Sequence, residues 1–181
     1  EISSAVNGKV NSITIQGYNG LDENLEPKDV LDGNNSGSTL THSSSVPVTI
    51  KNLKITGGSG KPNGTNTLGG GIYIDSGKTL SLGDGVLVTG NTAAEGGGIY
   101  NAGKLYLYGS AMVGKKTDTV ATSISYGNKA TESGAGIYSD STGSLYLGYK
   151  SEEEESELTG GVCGNYNENA INSSAKGGGI Y

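Results

Sequence analysis

Four acidic residues at turns, Asp75, Asp84, Glu95 and Asp140, are candidates for general acids or bases among the 18 Asp and Glu of this chain. Cleavage of a glycosidic link, or proton abstraction beside a uronic acid, calls for clustered carboxylates with a cationic partner. The cation is the weak point, because all 12 basic residues are Lys and Arg is absent. The four acids also fall at turns in different parts of the sequence, with nothing that brings them together. His42 is the single histidine, so a histidine metal site or a Ser-His-Asp triad lacks its members, and His42 reads as structural or superficial. Cys163 has no partner for an internal disulfide and reads as a small buried hydrophobe. The run Ser151-Glu152-Glu153-Glu154-Glu155-Ser156-Glu157 could collect calcium, yet it lacks the alternating ligands and glycine turn of a formed calcium loop and reads as a solvated, mobile loop. Glycine-rich stretches raise the idea of a phosphate cradle, but no Gly-Lys-Ser/Thr follows them and no helix opens there. The residues therefore predict no catalytic group, no cofactor and no metal.

Composition narrows the classes further. The net charge is −6, and without arginine a basic nucleic-acid-binding face is not expected. No apolar run approaches the ~20 residues that a membrane-spanning helix needs. Hydrophobic residues make up 33% of the chain with no Trp and no Phe, so any interior must be built from Ile, Leu and Val. Disorder is disfavoured by β-branched runs such as Ser12-Ile13-Thr14-Ile15, Val48-Thr49-Ile50 and Val86-Leu87-Val88-Thr89.

Self-similarity organises the rest. Gly69-Gly70-Gly71-Ile72-Tyr73 recurs as Gly96-Gly97-Gly98-Ile99-Tyr100, Gly134-Ala135-Gly136-Ile137-Tyr138 and Gly177-Gly178-Gly179-Ile180-Tyr181. An alternating Leu-x-Leu follows each internal copy, at Leu80-Ser81-Leu82, Leu105-Tyr106-Leu107 and Leu145-Tyr146-Leu147. A Gly-Asn pair closes each unit at Gly90-Asn91, Gly127-Asn128 and Gly164-Asn165. Three short strands per unit, separated by Gly, Asn, Asp and Ser turns and lacking any helical period, predict an all-β chain. The expected fold is a right-handed single-stranded parallel β-helix, a solenoid of about five rungs ~4.8 Å apart, with three short strands per rung. Residues 1–181 form one such segment: 1–58 supply less regular rungs, with strands at 12–16, 29–32, 38–41, 48–50 and 53–58, and 69–181 carry the repeats. The segment reads as part of a longer array or as a protomer that stacks head to tail.

Alternation then assigns faces. Leu80, Leu82, Leu105, Leu107, Leu145 and Leu147 point inward, as do Ile72, Ile99, Ile137 and Ile180. Ser81, Tyr106 and Tyr146 face out, and Tyr73, Tyr100, Tyr138 and Tyr181 form an exterior ladder. Insertions gather at turns, at 115–121, 151–157 and 165–176, as expected where loops vary over a constant stack. Asn91, Asn128 and Asn165 are expected to stack as a turn ladder through their amides. The tyrosines cover the sheet exterior or pack under inserted loops; Tyr73, Tyr100, Tyr106, Tyr138 and Tyr146 are also the candidate platform for a partner, a glycan or a host-surface protein.

The run Val48-Thr49-Ile50-Lys51-Asn52-Leu53-Lys54-Ile55-Thr56-Gly57-Gly58, followed by the Gly-Gly-Gly-Ile-Tyr and Gly-Asn repeats, resembles bacterial surface proteins of the pectate-lyase-like right-handed β-helix class. More narrowly it is similar to the repeats of chlamydial polymorphic outer-membrane proteins, covering residues from about 46 to the end. It departs from them in that Asn follows Gly and Phe is absent. The resemblance implies an extracellular or cell-surface, adhesin-like passenger segment with no catalytic residues to carry over. The alternative is a fragment of a carbohydrate-active β-helix enzyme, a polysaccharide lyase or hydrolase, whose site lies elsewhere.

Overall fold

A computed structural model describes residues 10–115, 127–163, 166–167 and 179–181. Twenty-one short strands, numbered in chain order, and no helix occur among them. The first sheet contains β1 (Ile13–Gln16), β4 (Val48–Lys51), β9 (Thr79–Leu82), β13 (Lys104–Leu107) and β17 (Ser144–Leu147), in that spatial order. The second contains β2 (Val30–Asp32), β5 (Lys54–Thr56), β10 (Leu87–Val88), β14 (Met112–Gly114) and β20 (Gly161–Cys163). The third contains β3 (Leu40–His42), β8 (Ile72–Ile74), β12 (Ile99–Asn101) and β16 (Ile137–Ser139). In the fourth, β6 (Lys61–Asn63) lies outermost, followed by β7 (Asn66–Leu68), β11 (Thr92–Glu95), β15 (Lys129–Ser133) and β21 (Tyr166–Asn167). All pairings in the first three sheets are parallel, and each strand lies beside its counterpart from the neighbouring repeat.

Two antiparallel hairpins interrupt this pattern. One is β6–β7, whose outer strand carries the exposed Pro62 opposite Thr67. The other joins β18 (Tyr149–Ser151) to β19 (Glu154–Glu155). Each repeat contributes four strands where three were expected. The additional one, Thr92-Ala93-Ala94-Glu95 or Lys129-Ala130-Thr131-Glu132-Ser133, follows the Gly-Asn turn and leads into the glycine motif. Its inward positions are alanines, Ala93 and Ala130, both buried, so it carries none of the branched apolar residues by which strands are recognised.

Register accounts for the core. In the first sheet Ile13, Val48, Leu80, Leu105 and Leu145 lie side by side, as do Ile15, Ile50, Leu82, Leu107 and Leu147. Leu31, Ile55, Val88, Val113 and Val162 match in the second sheet, and Leu40, Ile72, Ile99 and Ile137 in the third. The central members of these columns form one cluster, in which Ile50, Ile55, Ile72, Leu80, Leu82, Ile99, Leu105, Leu107 and Ile137 have no exposed surface. Each such side chain stabilises the fold by about 1.5–3 kcal/mol relative to exposure. Two residues expected inside are not: Leu147 is 43% exposed and Ile180 42%. Leu147 lies on β17, the outermost strand of its sheet, and Ile180 forms an isolated bridge to Ile137, so among the described residues neither has a further strand to cover it.

The glycine motif follows from the same closeness. Gly96, like Gly69 and Gly134, has a positive φ, here 64°, which an L side chain adopts only with strain. At Gly97 an added Cβ would meet backbone, lying 2.6 Å from the Lys129 carbonyl carbon and 2.8 Å from the Ala135 oxygen. Behind the motif runs a buried amide ladder. The two protons of Asn91 Nδ2 are shared among the Ile55 and Thr89 backbone carbonyls and Asn128 Oδ1, each at 3.0 Å, and its Oδ1 accepts from Gly58 N at 3.0 Å. Asn128 Nδ2 donates in turn to Val88 O at 2.9 Å. The third asparagine of the expected ladder, Asn165, lies outside the described residues, as do residues 116–121 of the insertion expected at 115–121 and residues 168–176 of the one expected at 165–176.

Candidate functional site

The outer face of the third sheet carries the tyrosine column. Strand alternation buries Ile72, Ile99 and Ile137 and turns the following residue of each motif outward. Tyr73 and Tyr100 stack with ring centroids 5.3 Å apart and 7° between planes; Tyr100 and Tyr138 follow at 5.2 Å, and Tyr138 and Tyr181 at 5.3 Å. The ring faces are thus turned to one another, and what the column offers outward is ring edges and hydroxyls. Lys61 closes one end, its Nζ 4.0 Å from the Tyr73 centroid and 3.8 Å from Asp75 Oδ1.

Carboxylates flank this column. Tyr100 Oη donates to Asp140 Oδ2 at 3.2 Å. Burial, then the neighbouring Asp140, pushes the Tyr100 hydroxyl well above the ordinary tyrosine range. Tyr73 is raised by burial and then by Asp75 and Asp140, and Tyr138 by burial and then by Glu95. Glu95 is itself raised, by burial and by the like charge of Glu132. Three of the four acids that the sequence scatters, Asp75, Glu95 and Asp140, therefore act on one face. Asp84 lies apart and caps a turn, its Oδ1 accepting from Ser110 N at 3.1 Å. Asp140 is likewise engaged in its own turn, accepting from Thr142 N at 2.7 Å and Gly143 N at 3.0 Å.

The second pair of candidate tyrosines is placed differently. Tyr106 and Tyr146 stack at 4.6 Å on the outer face of the first sheet, but Tyr106 is only 3% exposed. The hairpin β18–β19 lies over them: Tyr149 meets the Tyr146 ring edge-on at 6.5 Å, and Ser81 Oγ donates to Lys150 O at 3.4 Å. The ion pair of Lys104 with Glu152 ties the hairpin to the sheet, and that of Lys150 with Glu154, at 2.8 Å, joins its two strands. The Lys104 ammonium keeps the Glu152 carboxyl below the usual carboxylate range, and Glu152 raises Lys104. The acidic stretch is thus a docked hairpin and not a free loop. Its reason was present in the chain: two outward tyrosines and Ser81 on the sheet below need a cover. Tyr106 is withdrawn from any partner, and Tyr73, Tyr100, Tyr138 and part of Tyr146 remain accessible.

Cys163 departs from its sequence reading, whereas His42 takes the structural one of its two alternatives. Cys163 is exposed, because it ends β20, the outermost strand of the second sheet; its Sγ donates to Lys115 O at 3.8 Å. His42 is fully buried. A groove of about 550 Å³ that the repeats do not announce runs along the outer face of the second sheet, between Leu87, Met112 and Cys163 on one side and Leu21, Leu25 and Pro27 on the other. Leu25 stands at its lip 78% exposed with φ 62°. Among the described residues no three metal-ligating side chains gather, and no helix is long and apolar enough to cross a membrane.

Comparison of the chain with protein-family models, curated proteins and solved structures gave no match.

Proposed function

We propose that the chain winds as a right-handed parallel β-helix of about five rungs, and that it is a non-enzymatic extracellular or cell-surface segment of adhesin-like type. In this role it is a stiff spacer that offers its outer strand faces to a partner, a glycan or a host-surface protein. The observation that carries the reading is the unbroken register of like residues across successive repeats: Ile on Ile, Leu on Leu and Tyr on Tyr. Such stacking gives each repeat its stability from its neighbours and leaves the outer faces free to vary. The same reading extends to stacking beyond the described strands, by a longer chain or a second copy, since Leu147 on the outermost strand β17 and Ile180, bridged to Ile137, both lie open.

The accessible tyrosine column is the surface favoured for contact. Its ring faces are occupied by one another, so recognition runs through hydroxyl edges and the flanking Asp75, Glu95 and Asp140, not through a sugar laid flat on an aromatic. The test is adhesion of the labelled chain to cells and immobilised glycans, beside a Tyr100→Ala/Tyr138→Ala double variant whose far-ultraviolet dichroism is checked for folding. Loss of adhesion in the folded variant supports this reading, and undiminished adhesion removes the column from it. Incubation with pectin, alginate and glycosaminoglycans, followed by absorbance of unsaturated products, addresses the enzymatic alternative directly; turnover would end the non-enzymatic reading.

A further inference from the structure

The only histidine of the chain occupies an unusual position. His42 ends β3 and lies in register with Ile74 and, one repeat further, Asn101. Its side chain has no exposed surface. Nε2 lies 3.0 Å from the Thr79 carbonyl oxygen of the next repeat, which fixes the tautomer: Nε2 carries the proton and donates it. Nδ1 is then a bare lone pair, buried, with no hydrogen-bond partner. The residue one step along, Asn101, bonds in the same manner to a later carbonyl, Ser144 O, at 3.0 Å, but its Oδ1 is also satisfied, by Gly103 N at 3.1 Å. His42 thus makes the same inter-repeat bond as Asn101 while leaving one titratable atom facing the interior.

We propose that His42 is an acid-sensitive latch that holds β3 to β8 and β9 at neutral pH and releases them when it is protonated. A proton on Nδ1 would create a buried cation and a buried donor without an acceptor, both of which burial opposes. The released state, in which the imidazolium meets water, takes up that proton freely. The charged groups whose fields reach the ring are Lys78, which opposes its protonation, and Asp75, which favours it; both lie on the turn between β8 and β9. Asp75 is drawn partly to Lys61 at 3.8 Å. β3 carries no other charge, and β4 carries only Lys51, its last residue. Desolvation outweighs these fields and depresses the His42 pKa below its ordinary value.

The sign follows. A base whose folded pKa is depressed binds more protons when released, so release becomes easier as pH falls through the ordinary histidine value of about 6.5, by up to about tenfold per pH unit, until the depressed folded pKa is reached. Above about 6.5 the latch has no pH dependence.

A single histidine makes the test direct. The imidazole proton resonances of the whole chain are followed by NMR from about pH 8 to 4, and exchange of the Leu40 and Asp75 amides, which bond to Gly71 O at 2.9 Å and His42 O at 3.1 Å, is measured across the same range. The expected result is a titration below 6.5, accompanied by falling protection of those amides after correction for intrinsic exchange. His42→Asn, which places at this position the residue already accommodated at Asn101, is expected to abolish the pH-dependent step. A histidine titrating at or above 6.5 overturns the proposal, whether or not the variant folds. So does an equal loss of protection in folded His42→Asn.

Discussion

Asn91→Ala probes the amide ladder where it is most demanding. Removal of the side chain leaves Gly58 N, a buried donor bonded to Asn91 Oδ1 at 3.0 Å, without an acceptor. A stranded buried donor costs about 1–3 kcal/mol. Thr89 O loses its donor as well, whereas Ile55 O keeps Thr89 N at 3.0 Å and Asn128 Oδ1 keeps Asn91 N at 3.3 Å. Together the losses amount to about 3 kcal/mol, since an ordinary buried hydrogen bond adds about 1 kcal/mol to the stranded donor. Urea unfolding followed by far-ultraviolet dichroism reads this as a lower midpoint; with a slope of about 2 kcal/mol per molar, the shift is about 1.5 M with the slope unchanged. Asn63→Ala, on the exposed outer strand β6, serves as control and should stay within about 0.5 kcal/mol of the parent. Asn91→Asp should cost at least as much as Asn91→Ala, because it restores the acceptor for Gly58 but turns a buried anion toward two carbonyls. An Asn91→Ala midpoint equal to that of Asn63→Ala would refute the claim that the ladder joins neighbouring repeats.

Gly97→Ala should destabilise well beyond Gly77→Ala in the same assay, since a Cβ at 97 strikes backbone of the next repeat while one at 77 meets open space and pays only for its φ of 72°; equal midpoints would contradict the close approach. The docked hairpin should loosen in acid: the lowered Glu152 pKa contributes stability at neutral pH that is lost as pH falls below the ordinary carboxylate value, so acrylamide quenching of tyrosine fluorescence should rise between about pH 5 and 3. Glu152→Gln should show the raised quenching already at neutral pH, and a flat profile in the parent would argue against the ion pair as the tether. In alkaline titration followed by phenolate absorbance, Tyr100→Phe should remove a tyrosine that ionises well above the ordinary value of about 10. Loss of a phenolate near pH 10 instead would mean that Asp140 and burial do not act on it.

Much of the architecture was legible because stacking repeats its demands. A Leu-x-Leu pair recurring beside each glycine motif can satisfy a two-residue period only one way round, and Leu80, Leu82, Leu105 and Leu107 are buried as that period requires. Even the less regular strands β1, β2, β3, β4 and β5 lie within a residue or two of their expected positions. The fourth strand of each repeat escaped because alanine, buried at 93 and 130, gives no apolar alternation to read. The hairpin over Tyr106 escaped for a different reason: its glutamates look solvated until their partners, Lys104 on another strand and Lys150 beside them, are brought within reach. Convergence of Asp75, Glu95 and Asp140 on one face needed the register of the third and fourth sheets, which no local spacing encodes.

Pro62 has a consequence for how the protein behaves in a crowd. A parallel sheet with a bare flank is a template on which a foreign strand can grow, and the fourth sheet would present such a flank beside β7 were it not folded over by β6. The imino acid in that outermost strand supplies no amide proton, so an arriving strand finds a gap in the row of donors it must match. Fibril seeding from this side is thereby discouraged by a single ring.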